Sequence, residues 1–133
     1  AADAHGLDKV YLVAPSSTDA RIAMTTAASR GFVYATAVMG VTGARATTSE
    51  LAGPLVARTK ALTELPVGVG LGVSNGDQAA ELADKKGIGA DGVIVGSAFV
   101  RTLLDHPGDR AAGLKALGAL TEDLADGVRR PGG

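Results

Sequence analysis

The stretch LPVGVGLGVSNGDQAAELADKKGIGADGVIVGSAFV, residues 65–100, indicates the fold of this chain. It contains two short apolar runs, residues 67–71 and 93–95, each followed directly by a glycine. The runs are continuously apolar rather than alternating, which is typical of strands that are covered on both faces in a parallel sheet. A polar segment long enough for one helix separates them. The stretch therefore predicts two consecutive β-α units.

Two further apolar runs, residues 10–14 (VYLVA) and 32–39 (FVYATAVM), have the same character. Between and after the four predicted strands, apolar residues recur at helical spacing behind Ser, Thr, Asp or Asn residues that can cap a helix. We expect Pro54 in the first turn of the second helix, and Lys85 and Lys86 in a cationic last turn of the third. The predicted helices are residues 18–30, 49–65, 77–86, 97–104 and 109–129.

This order of elements predicts an α/β fold with four parallel β-α units. The chain has 133 residues and a mass of 13.2 kDa, which is enough for one hydrophobic core, so we expect residues 1–133 to form a single unit. Four parallel strands can form either a small open sheet or half of an eight-stranded β/α barrel. Topology alone does not choose between these two.

Composition argues against several functional classes. The 13 Lys and Arg residues and the 14 Asp and Glu residues leave a net charge of −1, which offers no electrostatic footprint for nucleic acid or an anionic membrane surface. Cysteine is absent, which excludes a disulfide scaffold and a cysteine nucleophile and fits a cytoplasmic location. The sequence contains no stretch of 18 apolar residues, so no transmembrane helix is predicted, and the first residues do not resemble a signal peptide.

Glycines cluster where the predicted strands end, in residues 40–45 (GVTGAR), 70–76 (GLGVSNG) and 96–97. Glycine lets a backbone approach a ligand closely, and the N-terminus of a following helix offers unpaired N–H groups, so an anion can bind without Lys or Arg. In β/α barrels a phosphate site recurs after the last two strands, at the N-terminus of a short extra helix. The pattern predicts a phosphate site, although glycine after a strand also serves in simple turns.

Other motifs are weak. The run GLGVSN lacks the third glycine of the dinucleotide-binding fingerprint, and the P-loop pattern is absent. His5 and His106 are expected at the solvated surface, and no metal site is indicated. Asp91 precedes the fourth strand and is expected in a turn or an ion pair, while Tyr34 could be a core aromatic or could face a ligand. Helix-face charges are expected at Glu50, Glu64, Glu81, Glu122 and Asp123, so no pair of carboxylates is available for acid/base chemistry at the strand ends.

Three motifs taken together resemble the tryptophan synthase α chain: residues 31–45 (GFVYATAVMGVTGAR), 65–83 (LPVGVGLGVSNGDQAAELA) and 89–100 (GADGVIVGSAFV). Residues 10–22 fit the same alignment, so the resemblance covers nearly the whole chain. It implies an eightfold β/α barrel and a lyase that cleaves indole-3-glycerol phosphate to indole and glyceraldehyde 3-phosphate by a retro-aldol reaction. Indole then passes to a β chain that uses pyridoxal phosphate, and no cofactor is implied for this chain itself.

The resemblance also implies site residues. A substrate-phosphate site would lie in the same loops as the glycine clusters, a lid would follow residue 40 with Thr42 reaching toward a catalytic Asp, and an apolar pocket would hold the indole ring. The phosphate site maps to Gly43, Gly72, Gly96 and Ser97, and the indole pocket to Leu12, Tyr34, Leu71 and Ile94.

The family's catalytic Glu and Asp follow the second strand of the barrel, and neither has a counterpart in this sequence. The chain therefore resembles the C-terminal half of the barrel, strands five to eight, and we expect it to be inactive alone. We also expect it to associate with itself or with its N-terminal half. The alternatives are a non-catalytic phosphate-binding half-barrel and another phosphate-binding barrel enzyme, of the imidazole-glycerol-phosphate or ribulose-phosphate type.

Overall fold

A computed structural model describes residues 1–36, 48–70 and 72–130 of the chain. Within these residues, four strands alternate with helices, and two helices follow the last strand. A short 3₁₀ turn, Asp3–His5, precedes the first strand. The strands are β1 (Leu12–Val13), β2 (Val33–Thr36), β3 (Val67–Gly70) and β4 (Gly92–Ile94), and the helices are α1 (Asp19–Ala28), α2 (Thr48–Leu62), α3 (Gly76–Ala83), α4 (Ser97–Leu104) and α5 (Arg110–Arg129).

The four strands form one parallel sheet in the order β1-β2-β3-β4. Tyr34 of β2 lies between Leu12 of β1 and Gly68 of β3, and Gly68 in turn pairs with Gly92 of β4. Strands that neighbour one another in the chain therefore also neighbour one another in the sheet, as in a β/α barrel. In the described sheet β1 and β4 are edge strands, each paired on one side only.

The helices cover one face of the sheet, and the core lies between them and that face. Side chains on successive strand residues point to opposite faces, so the buried outer positions alternate with positions on the inner face. Apolar groups removed from water supply the main favourable term for this packing. The most completely buried residues include Val13, Ile22, Val33, Ala35, Leu55, Val56, Val67, Val69, Ala79 and Leu82.

Polar side chains define where three of the helices begin. Thr18 Oγ1 accepts a hydrogen bond from the Arg21 N–H at the start of α1, and Asp109 Oδ1 accepts one from the Ala112 N–H at the start of α5. In α3, Asn75 Oδ1 has the same role toward the Gln78 N–H. Each cap satisfies one of the N–H groups that lack a partner in the first helical turn.

The predicted elements are confirmed in type and order, but several predicted boundaries are wrong. β1 is shorter than residues 10–14 because only Leu12 and Val13 pair with β2. Pro54 lies inside α2 rather than in its first turn, since the helix already begins at Thr48. α3 ends at Ala83.

Lys85 and Lys86 therefore lie beyond α3 and do not form the cationic last turn that the sequence predicted. Lys85 instead forms a salt bridge with the Asp91 carboxylate, with 3.1 Å between Nζ and Oδ1.

None of the helices in the described part of the chain is long and apolar enough to cross a membrane.

Candidate functional site

A cavity of about 340 Å³ lies beyond the carboxyl ends of β3 and β4, lined by residues that follow both strands. Gly72, which follows β3, and Ser97, the first residue of α4, both line it, although they are far apart in the sequence. Parallel strands bring their carboxyl ends to one edge of the sheet, and that edge is where α/β proteins bind their ligands. The remaining lining residues are Val73, Ser74, Ala98, Arg101, Thr102, Asp105 and Leu120.

Gly72 is required by the backbone of the loop. Its φ is +70°, in the left-handed region that favours glycine, and a Cβ added there would meet nothing within 4 Å. Another residue at this position would strain the backbone by about 1–2 kcal/mol without any steric contact. The space beside Gly72 is therefore open for a ligand to approach the backbone.

The N-terminus of α4 has no side-chain cap. Gly96 is the N-cap residue, and no side chain accepts a hydrogen bond there, in contrast to α1, α3 and α5. Gly96 and Ser97 are both exposed, and a Cβ added at Gly96 would meet nothing within 4 Å. The first N–H groups of α4 can thus donate hydrogen bonds to an anionic oxygen, which the positive end of the helix dipole also favours.

Three of the residues assigned to the indole pocket share the inner face of the sheet, opposite the helices. Leu12 and Tyr34 are directly paired across β1 and β2, and Ile94 lies on the same face of β4. Leu12 is 58% exposed, and Tyr34 and Ile94 are half-buried. These three apolar side chains therefore share one partly accessible face of the sheet.

The two glycines of β3 make room for these side chains. A Cβ at Gly68 would lie 3.2 Å from Ile94 Cδ1, and a Cβ at Gly70 would overlap the Tyr34 hydroxyl. Gly70 belongs both to the predicted strand 67–71 and to the glycine cluster 70–76, and the structure places it in the strand, as the last residue of β3. The alternation of Val and Gly in β3 is the signal that could have placed both glycines on the inner face.

Three residues of the predicted site cannot be placed. Gly43, Thr42 and Leu71, which belong to the predicted phosphate site, lid and indole pocket, lie outside the described residues.

Asp123 has a role that the sequence analysis missed. It was expected to be a helix-face charge on α5, but its Oδ2 accepts a hydrogen bond of 2.8 Å from the N–H of Gly76, at the start of α3. The two residues are 47 positions apart, and no local pattern marks the contact. The carboxylate therefore joins α5 to the helix that follows the Gly72 loop.

Asp91 lies at the amino end of β4, the end opposite the cavity, and its expected ion pairing is confirmed. Its carboxylate contacts the ammonium groups of Lys60 and Lys85, each at 3.1 Å, and accepts the Val67 N–H at 2.9 Å. Burial alone would raise the pKa of Asp91, but these hydrogen bonds outweigh burial and lower the pKa. This cluster ties β3, β4, α2 and the end of α3 together.

Both histidines lie outside the strands and the cavity. His5 is exposed, and His106 is partly exposed, with its Nδ1 2.8 Å from the carbonyl oxygen of Thr102. In the part of the chain that the structure describes, no three His, Asp or Glu side chains converge as metal ligands.

A family model described as the tryptophan synthase alpha chain matches residues 1–129. The chain belongs to the tryptophan synthase alpha chain family. The tryptophan synthase alpha chain of Streptomyces avermitilis is 61% identical over 128 residues, which are 96% of this chain and 44% of the relative. That of Mycobacterium ulcerans is 59% identical over 130 residues, which are 98% of this chain and 44% of the relative.

Solved structures agree with the sequence relatives. Tryptophan synthase from Mycobacterium tuberculosis matches with a TM-score of 0.78 at 53% identity, over 96% of this chain and 44% of that one. A mutant alpha-subunit from the hyperthermophile Pyrococcus furiosus matches with a TM-score of 0.73 at 32% identity, over 93% and 47%. The prediction of four parallel β-α units from a tryptophan synthase alpha barrel is confirmed. The chain spans less than half the length of the relatives it matches.

Proposed function

We propose that this chain is the substrate-binding half of a lyase that cleaves indole-3-glycerol phosphate to indole and glyceraldehyde 3-phosphate. Its four β-α units, residues 1–133, would be strands five to eight of the barrel with their helices. The reaction would serve tryptophan biosynthesis in the cytoplasm, and the indole would pass to a β chain. The family membership of the chain supports this proposal.

One observation carries the proposal. The left-handed Gly72 loop and the uncapped N-terminus of α4 border one cavity, so N–H groups from two elements can converge on a phosphate. Gly96 and Ser97 would supply the α4 donors, and Gly43 would approach from the loop after β2. A phosphate held this way needs no cationic side chain.

The apolar inner face would hold the indole ring. Leu12, Tyr34 and Ile94 lie on that face, and the phosphate cavity lies at its carboxyl edge, so an indole joined to a glycerol phosphate could occupy both. Leu71 and a lid containing Thr42 would complete the enclosure. Fixing both ends of the substrate orients the bond that breaks, which is the contribution that binding residues make to catalysis.

Proton transfer would come from elsewhere. The proposed cleavage needs one acid/base carboxyl group, which as the acid protonates the indole ring carbon and as the base takes the proton of the hydroxyl that becomes the aldehyde, and a second carboxylate that stabilises charge on the ring nitrogen. In the sequence, no carboxylate directly follows β1, β3 or β4 where it could face the ring. We propose that both groups belong to the N-terminal half of the barrel and that the chain by itself releases no indole.

The unpaired edges of the sheet support a partner. β1 and β4 each lack a neighbour on one side in the described sheet, and Leu12 exposes an apolar side chain on the inner face. We propose that the N-terminal half of the barrel covers these surfaces, or that a second copy does so when that half is absent.

The phosphate assignment is tested with Gly72→Asp in the chain combined with its N-terminal half. The variant places a carboxylate and a strained backbone where the phosphate would approach, so the affinity for glycerol 3-phosphate should fall at least about a hundredfold. Calorimetric titration measures this affinity, and circular dichroism checks the fold. Gly108→Asp is the matched control, because Gly108 has a φ of +76° and open space but lies outside the cavity. Equal binding by both variants would refute the assignment.

A non-catalytic phosphate-binding module is the second candidate, and the absence of an acid/base carboxylate from the ends of these strands favours it. An indole-release assay with and without the added N-terminal half separates the two. If the combined halves bind glycerol 3-phosphate but release no indole, the module is the correct interpretation.

A further inference from the structure

Residues 72–76, which lead from the end of β3 into the start of α3, accept support from side chains of two helices. Gln78 Oε1 of α3 accepts hydrogen bonds from the Ser74 N–H, at 2.8 Å, and from the Ser74 hydroxyl, at 3.1 Å. Directly after the loop, the N–H of Gly76, the first residue of α3, donates a hydrogen bond to Asp123 of α5. Ser74 is therefore held by α3, and the start of α3 is held by α5.

Close backbone packing keeps Asp123 in place. A Cβ at Gly76 would lie 2.7 Å from Asp123 Oδ1, and a Cβ at Gly127 would lie 2.8 Å from the Gly76 backbone. Both positions must be glycine for α3 and α5 to approach this closely. The start of α3 cannot slide along α5 without breaking this contact.

These hydrogen bonds also determine which helix N-terminus remains available to an anion. The N-terminus of α3 already carries the Asp123 carboxylate and the Asn75 cap, which satisfy two of its N–H groups and complement its dipole. The N-terminus of α4 carries no side-chain cap. Gln78 Oε1 accepts hydrogen bonds from both donors of Ser74, its N–H and its hydroxyl. The part of the loop that remains to contact an anion in the shared cavity is therefore the backbone around Gly72.

We propose that Asp123 and Gln78 are positioning residues for the substrate phosphate. Neither lines the cavity, and both act through the loop that carries Gly72. Asp123 directs the anion to α4 by occupying α3, and Gln78 sets the conformation of Ser74 beside Gly72. The inference rests on the proposed phosphate site and adds two residues that the glycine pattern does not reveal.

The test uses the chain combined with its N-terminal half and two ligands, glycerol 3-phosphate and indole. Asp123→Ala and Gln78→Leu should each weaken glycerol 3-phosphate binding about tenfold, the size expected when a hydrogen bond to a positioned group is lost. Indole affinity should fall less than glycerol 3-phosphate affinity, because Leu12, Tyr34 and Ile94 of the proposed pocket lie on strands and not in the loop. In steady-state assays KM for the substrate should rise while kcat changes little.

Conservative variants separate positioning from general stability. Asp123→Asn keeps an acceptor for the Gly76 N–H and should recover much of the lost affinity. Glu122→Gln changes a neighbouring exposed carboxylate on α5 and should bind like the unaltered protein. If Asp123→Ala fails to fold, Gln78→Leu carries the test, because Gln78 is exposed on α3 and contributes little to the core.

The outcomes distinguish this inference from the function on which it rests. If Gly72→Asp abolishes phosphate binding while Asp123→Ala and Gln78→Leu leave it unchanged, the positioning role is wrong and the phosphate site stands. Parallel losses of indole and phosphate affinity would mean that the two residues act only on stability. If Gly72→Asp itself has no effect, the proposed phosphate site fails.

Discussion

Replacing Gly127 with Ala should destabilise the protein, although α5 would gain helix propensity. Ala in place of an interior helical Gly normally stabilises by about 0.5–1 kcal/mol. Here the added Cβ would overlap the backbone oxygen of Gly76 and lie 2.8 Å from its Cα and carbonyl carbon. A backbone has no alternative rotamer to adopt, so α3 and α5 must move apart.

The size of the effect follows from these opposing contributions. Overpacking of a close contact costs about 1–3 kcal/mol, and a clash against backbone belongs at the upper end of that range. Subtracting a propensity gain of about 1 kcal/mol from a clash of about 3 kcal/mol leaves a net loss of about 2 kcal/mol in the free energy of unfolding. Separation of the helices would also break the hydrogen bond between Asp123 and Gly76.

Urea unfolding followed by circular dichroism measures this free energy. The matched control is Gly118→Ala, on the same helix, where the added Cβ meets nothing within 4 Å, and this variant should gain about 0.5–1 kcal/mol. All proteins are compared at one concentration, because association shifts the apparent stability. If Gly127→Ala were as stable as Gly118→Ala, the close contact between α3 and α5 would be wrong.

Three further predictions concern the sheet and its supports. Gly70→Ala should lower the free energy of unfolding by about 1–3 kcal/mol because the added Cβ overlaps Tyr34, and the further change Tyr34→Leu should restore part of it. Additive effects in a double-mutant cycle of urea unfolding would contradict this contact. The pKa of Asp91 is lowered in the folded state from its ordinary value of 3.8, so the ionised carboxylate stabilises the fold above that pH and the free energy of unfolding should fall as the pH drops below about 4. Asp91→Asn should lose this part of the acid dependence in unfolding curves recorded from pH 3 to 7. Thr18→Ala removes the cap of α1 and should lower the free energy of unfolding by about 1 kcal/mol, whereas an unchanged midpoint would show that the cap contributes nothing.

The sequence by itself determined the architecture. Continuous apolar runs at residues 67–71 and 93–95, each followed by a glycine, are sufficient to predict parallel strands, because strands buried on both faces have no polar positions to alternate. A Ser, Thr or Asp start of the first helix and a glycine loop after the third strand were likewise predicted, and the structure shows Thr18 as the cap of α1 and Gly72 with a positive φ.

Only the tertiary structure decided which residues contact one another across the fold. Asp123 and Gly76 meet across 47 positions, and Gly127 is glycine because another backbone lies against it. Gly70 pairs with Thr36 and Ile94 in the register, and only the folded structure shows that the Tyr34 hydroxyl lies over it, where a Cβ would overlap that hydroxyl. Such contacts depend on how helices and strands pack in three dimensions, and local sequence patterns report only on neighbours within a few residues along the chain.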